Sequence, residues 1–185
     1  MTILYILIAI IVIAFLWFIF VYNGFIKNKN RAEEAWADID VQLKRRYDLI
    51  PNLVNTVKGY AAHESGTLDR VTELRNMSMK ARNMAEKSQA ENILTDALKS
   101  VFAVAEAYPD LKANQNYLAL QTELSDTENK IQAARRFYNG NVRDFNIAVN
   151  SFPQNLVAGV FHFVEMEYFE LENDSLAKEP VEVKF

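Results

Sequence analysis

"WADIDVQLKRRYDLIPNLVNTVKGYA", residues Trp36 to Ala61, sets Trp36, Ile39, Leu43, Tyr47, Ile50, Val54, Val57 and Ala61 three or four positions apart. That spacing matches the 3.6-residue period of an α-helix and lays one apolar stripe along roughly seven turns. Glu33, Asp38, Lys44 and Lys58 fall on other faces. The stripe keeps its phase through Pro51, although proline lacks a backbone N–H and crowds the turn before it. Two readings of this break stand side by side. One is a kink required by packing, with Asp48 capping the restarted turns and the bases Lys44, Arg45 and Arg46 forming a solvated collar. The other is a lipid-facing basic collar of Lys27, Lys29, Arg31, Lys44, Arg45 and Arg46, each base worth about 1 kcal/mol near anionic headgroups. Lys44 stands about 25 Å beyond Lys27 along a straight helix, outside a Debye length of about 8 Å, which favours the first reading.

Towards the N-terminus the stripe gives way to a different pattern. No charged side chain occurs from Met1 to Ile26, and "ILYILIAIIVIAFLWFIFVY", Ile3 to Tyr22, is almost wholly apolar. Twenty such residues span about 30 Å, the thickness of a bilayer's hydrocarbon core. Tyr5, Trp17 and Tyr22 lie near its ends, where aromatic side chains anchor. A cleaved signal would have a basic leader, a shorter apolar run and a small-residue cleavage site. None of these is present, so a single-pass anchor is expected. The bases following the span orient it with the N-terminus outside and the body in the cytoplasm.

Towards the C-terminus two more stripes follow. One runs Leu68, Val71, Leu74 and then Ile93, Ala97, Val101, Val104, Ala105, Tyr108, with a polar stretch between its halves that is either a water-facing helix or an interruption near Ser88. Pro109 ends it. The next runs Tyr117, Leu120, Leu124, Thr127, Ile131, Ala134, Tyr138, Val142, Phe145, Val149 through Asn139-Gly140 and closes at Phe152-Pro153. A short helix is expected over about Asn155 to Phe163. The fold class is therefore all-α: an N-terminal transmembrane helix, then an antiparallel bundle of long helices, with a short C-terminal helix and tail. The organisation expected is an anchor over 1–26, a bundle over 27–164 and a tail over 165–185. That tail holds seven acidic residues against two lysines, whereas the rest of the chain is close to neutral, within a net charge of −4. A nucleic-acid partner would need a basic domain or stripe, which is lacking.

Three blocks resemble the LemA family: "EEAWADIDVQLKRRYDLIPNLVNTVKGYAAHE" (Glu33 to Glu64), "VFAVAEAYPDLKANQNYLALQTELSDTENKIQAARRFYNGNVRDFN" (Val101 to Asn146) and "FPQNLVAGVFHFVEMEYFE" (Phe152 to Glu170). The resemblance covers essentially the whole chain. It implies a bacterial inner-membrane protein with a helical-bundle domain and no established enzymatic activity or cofactor. Genes of such proteins sometimes neighbour a membrane zinc metalloprotease, which implies a partner. One departure is the acidic stretch Phe161 to Glu170, where lysines are expected.

The residues supply little chemistry of their own. His63 and His162 stand in separate blocks without metal-ligand spacing, and the clustered Glu33, Glu34, Asp38 and Asp40, like Glu123 and Glu128, lack a histidine partner of the kind a bundle di-metal site requires. There is no cysteine, phosphate-binding loop or nucleophile motif. No catalytic, cofactor-binding or metal residue is expected. Asn52, Asn55, Asn114, Asn116, Gln121 and Arg135 read as inter-helix hydrogen bonds, and Met77, Met79 and Met84 as gap fillers. The function expected is a self-assembling, membrane-anchored scaffold or adaptor. The alternative is a regulatory subunit of a membrane protease or envelope-stress system. Trp36, Tyr47, Tyr60, Phe102, Tyr117, Phe137 and Tyr138 are the candidate oligomer or partner interface. "VEVKF" at the end either adds to a partner's sheet or packs on the bundle.

Overall fold

A computed structural model describes residues 1–169; residues 170–185, which carry most of the acidic tail and "VEVKF", lie outside the described residues. Helix α1 runs from Thr2 to Lys58 without interruption, so the membrane segment and the first bundle helix are one 57-residue element. A 3-10 turn, Ala62–Glu64, leads into α2 (Ser65–Lys80), followed by α3 (Met84–Glu106), a short α4 (Pro109–Lys112), α5 (Gln115–Asn150) and α6 (Gln154–Phe161). The described residues are all-α.

Pro51 breaks nothing, and Asp48 caps no restarted helix. In a regular helix the N–H at position 51 would bond the carbonyl of Tyr47, four residues back, and proline cannot. The orphaned Tyr47 carbonyl instead accepts from Arg75 Nε on α2 at 2.7 Å. A neighbouring helix thus supplies the missing donor, as a buried backbone carbonyl requires.

The interruption expected near Ser88 falls at residues 81–83. Asn83 caps α3, its side chain accepting from the Glu86 N–H at 2.8 Å, while the Glu86 carboxylate accepts from the Arg82 N–H at 3.0 Å. The first bond satisfies a donor left open at the start of α3, and the second ties the residue before the cap back onto that helix as the chain turns from α2 into α3. Pro109 takes the first position of α4, where its missing N–H costs nothing.

Helix α5 passes through Asn139-Gly140 as one element. A Cβ added at Gly140 would meet nothing within 4 Å. Gly140→Ala is therefore expected to stabilise α5 by about 1 kcal/mol, read as a raised thermal midpoint of the full-length protein in detergent. A lowered midpoint would contradict the open space at that position.

By contact density the chain forms two compact units, to both of which α1 and α5 contribute. One comprises 1–38 and 134–168. Its core holds Val21, Phe25, Phe145, Val157 and Ala158, with Phe18, Tyr22, Phe163 and Met166 packed against them. Phe25 stacks on Phe163 at 4.8 Å and meets Phe145 edge-on at 5.9 Å, while Trp36 meets Tyr138 at 5.6 Å. The chain after α6 is strapped to α5: Asn146 donates to the Met166 carbonyl at 2.9 Å and accepts from its N–H at 2.8 Å, and the Tyr138 hydroxyl donates to the Glu167 carbonyl at 2.9 Å.

The other unit comprises 39–133 together with Phe169, and its helical part is an up-down-up-down bundle. Pairs Asp40–Lys87, Arg46–Thr95 and Glu64–Tyr108 run α1 parallel to α3, whereas Arg45–Glu123 and Tyr60–Asn114 run it antiparallel to α5. On α1 the inward positions are Ile39, Leu43, Arg46, Ile50, Leu53 and Val57. Their alternating spacing of four and three is the seam of packed helices.

Candidate functional site

The seam of the second unit carries a charge at its middle. Arg46 is fully buried, and so is Glu91 on α3. Arg46 Nη2 donates to Glu91 Oε2; Nη1 donates to Glu128 Oε2 at 2.6 Å and to Thr95 Oγ1 at 2.9 Å. The Tyr47 hydroxyl donates to the second oxygen of Glu91. Helices α1, α3 and α5 are thereby joined by one guanidinium, whose planar fork suits several acceptors at once. Burial lowers the affinity of Arg46 for its proton; Glu128 and Tyr47 act in the opposite direction. Arg46 Nε has no hydrogen-bond partner.

A groove of about 640 Å³ lies over this cluster, between α3 and α5. Arg46 and Glu128 face it together with Thr95, Lys99, Phe102 and Gln121. Its volume falls in the range of small-molecule pockets, about 300–1,000 Å³. Its carboxylates are occupied by cations: Glu128 by Arg46, and Asp126 by Lys130 at 2.8 Å and Arg45 at 3.7 Å. The bond to Lys130, with that ammonium and Arg45 nearby, holds the Asp126 carboxyl below the usual carboxylate range against a smaller effect of burial. What the arrangement does is fix the register of three helices.

The expected sites fare unequally. Arg46 leaves the basic collar, because it is the centre of the bundle, and Arg45 is paired with Glu123 and Asp126. Lys44 is exposed, as are Lys27, Lys29 and Arg31, with Lys29 3.8 Å from Glu33. Of the aromatic interface residues, Tyr47, Tyr117 and Tyr138 are buried inside the chain and present no surface. Burial also raises the Tyr117 and Tyr138 phenols above their ordinary value, aided by Glu106 and Glu167 respectively. Trp36 and Phe102 are half-buried, whereas Tyr60 and Phe137 are exposed.

Among the described residues no group of three His, Asp or Glu side chains is placed to hold a metal ion. His63 sits in the exposed 3-10 turn, and His162 ends α6 with a left-handed φ of 56°. The inward side of α3 is Ser88, Glu91, Leu94, Leu98, Val101 and Ala105, with Ile93 and Ala97 at its edges. Glu91 was missed because a carboxylate reads as an outward position. The available signal was the spacing of four and three on α1, which closes only if Arg46 is counted inside.

At the N-terminus the residues from Thr2 to Trp17 are exposed, so this apolar stretch is no core helix, and it is long enough to cross a membrane. Val21 and Phe25, in the same unbroken helix, belong to the folded core. The helix fits a membrane anchor.

The LemA family model matches residues 35–185. Protein LemA of Metamycoplasma hominis is 30% identical over 187 residues, covering 93% of this chain and 84% of the relative. Magnetosome protein MamQ of Magnetospirillum gryphiswaldense is 24% identical, covering 80% of this chain, which spans only 64% of that relative. MamQ 2 of Paramagnetospirillum magneticum is 23% identical with the same coverage of each chain. The chain belongs to the LemA family.

Proposed function

We propose that this chain is a non-catalytic scaffold, anchored in a bacterial inner membrane and assembling with copies of itself through the outward faces of its helices. The observation that carries this reading is Phe137, 58% exposed on α5 while the inward residues Tyr138 and Val142 are already packed. A large aromatic on an otherwise filled helix favours a protein neighbour, and aromatic residues are enriched in interface cores. Confinement to a membrane plane raises the encounter rate of such faces. Tyr60, 44% exposed, adds a second aromatic contact. Lys27, Lys29 and Arg31 meet anionic headgroups where α1 leaves the bilayer, which sets the bundle on the cytoplasmic side. No cofactor is required.

The test is the mass of the full-length protein in mild detergent, beside Phe137→Glu. A discrete multimer that dissociates on Phe137→Glu is expected, since burying an unpaired carboxylate at an interface opposes association. A wild-type monomer would overturn self-assembly. A stoichiometric foreign membrane protein, such as a metalloprotease, captured by that monomer would favour the regulatory reading.

A further inference from the structure

Helix α6 has two faces. Val157 and Ala158 are buried in the first unit's core, whereas Leu156 and Val160, one turn apart, are exposed together with the flanking Phe152 and Val164. From Phe145 to Val164 no Asp, Glu, Lys or Arg occurs. A soluble surface helix normally carries charge on its outer side, and here that side carries none, with Leu156 and Val160 exposed beside Asn155.

The neighbours of α6 say what covers it. Phe161 packs on Phe18 at 5.6 Å and on Tyr22 at 4.5 Å, and Phe163 lies 6.0 Å from Tyr22. Phe18 and Tyr22 are the last turn of the Ile3–Tyr22 segment. A residue resting on that turn lies within about 6 Å of the level at which the segment ends. If Ile3–Tyr22 spans the bilayer, α6 sits at the acyl–headgroup boundary, with Lys27 about one and a half turns further out.

We propose that α6 is a second membrane contact, an interfacial helix whose Leu156 and Val160 enter the leaflet from which α1 emerges. The occupant of its outer face is lipid, because the face continues the lipid-facing surface of the span. Interfacial helices bury an apolar side about 5–10 Å into this boundary. Together α1 and α6 hold the first unit against the bilayer at two points. This restricts tilt and rotation about the span, which a single helix leaves free.

The inference rests on Ile3–Tyr22 spanning the membrane, and its test reports the two separately. The chain has no cysteine, so single Leu156→Cys, Val160→Cys, Phe15→Cys and Ala103→Cys variants of the full-length protein each accept one environment-sensitive fluorophore. Reconstituted in phosphatidylcholine–phosphatidylglycerol vesicles, each is quenched with brominated-acyl lipid and, separately, with aqueous iodide. Labels at 156 and 160 are expected to match Phe15→Cys in bromolipid quenching, several-fold above Ala103→Cys, and to be shielded from iodide. Quenching by iodide as strong as at Ala103→Cys would overturn the proposal and leave the face in water. Shielding from both quenchers would overturn it in favour of a protein neighbour. Loss of bromolipid quenching at Phe15→Cys would instead refute the span itself.

Discussion

Arg46→Met is expected to lower the stability of the four-helix unit by about 3–5 kcal/mol, while Arg45→Met, one residue away, costs about 0–1 kcal/mol. The difference follows from solvent. Arg45 meets Glu123 and Asp126 at the surface, with its side chain 41% exposed, where water screens the pair and both carboxylates stay hydrated without it. Arg46 and Glu91 are out of water altogether. Removing the guanidinium leaves Glu91 buried beside the Tyr47 hydroxyl with no cation, and takes the cation from Glu128 as well. Arg46→Lys recovers part of the loss, since one ammonium cannot reproduce the fork to Glu91, Glu128 and Thr95. Arg46→Met with Glu91→Leu is expected to recover most of it, because an apolar pair of similar volume avoids the desolvation of both ions. Chemical unfolding of the full-length protein in detergent, followed by helical circular dichroism, ranks the four variants. Equal losses for Arg45→Met and Arg46→Met would contradict the assigned burial.

The same pair of arginines marks where the sequence was legible and where it was not. Periodicity alone carried α1 through Pro51 and α5 through Gly140, because packing of an apolar stripe outweighs a local penalty of about 1–3 kcal/mol. Arg46 defeats that reasoning. A charged residue is almost never fully buried unless paired, so an isolated arginine in a stripe reads as surface. Its partner Glu91 lies 45 residues on, beyond any local pattern. The donor that rescues the Tyr47 carbonyl, Arg75, is likewise 28 residues from its acceptor. In both cases the rule that failed was local and the compensation came from another helix. The α3 seam shifted for the same reason: with Glu91 taken as outward, Ile93 and Ala97 gave the better apolar phase.

Charge buried inside the bundle has a consequence for the proposed scaffold. In some bundles a buried polar or ionic group specifies which helices meet and in what register. A protein whose outer faces must match a second copy depends on that register. Self-assembly is therefore expected to be sensitive to Arg46 even though Arg46 touches no partner.

The first unit offers the second large effect. Phe25→Ala is expected to cost about 3–5 kcal/mol, the range for a buried phenylalanine truncated in a packed core. Phe25 is 2% exposed and bridges Phe145 of α5 to Phe163 of the segment after α6. The core around the cavity is small: besides Phe25 and Phe145 its fully buried members are Val21, Val157 and Ala158, two of them on the short α6. The loss should therefore appear as local opening. The amides of Phe163, bonded to the Ala158 carbonyl, and of Met166, bonded to Asn146 Oδ1, lose protection against hydrogen exchange by about two to three orders of magnitude. Amides in the middle of α2 and α3 should keep theirs, since the buried apolar side chains there belong to other residues, Val71 and Leu94 among them. Equal loss in α2 and α3 would mean that Phe25 supports the whole chain. Confined loss would mean that the segment carrying α6 can detach while the charged bundle stays folded.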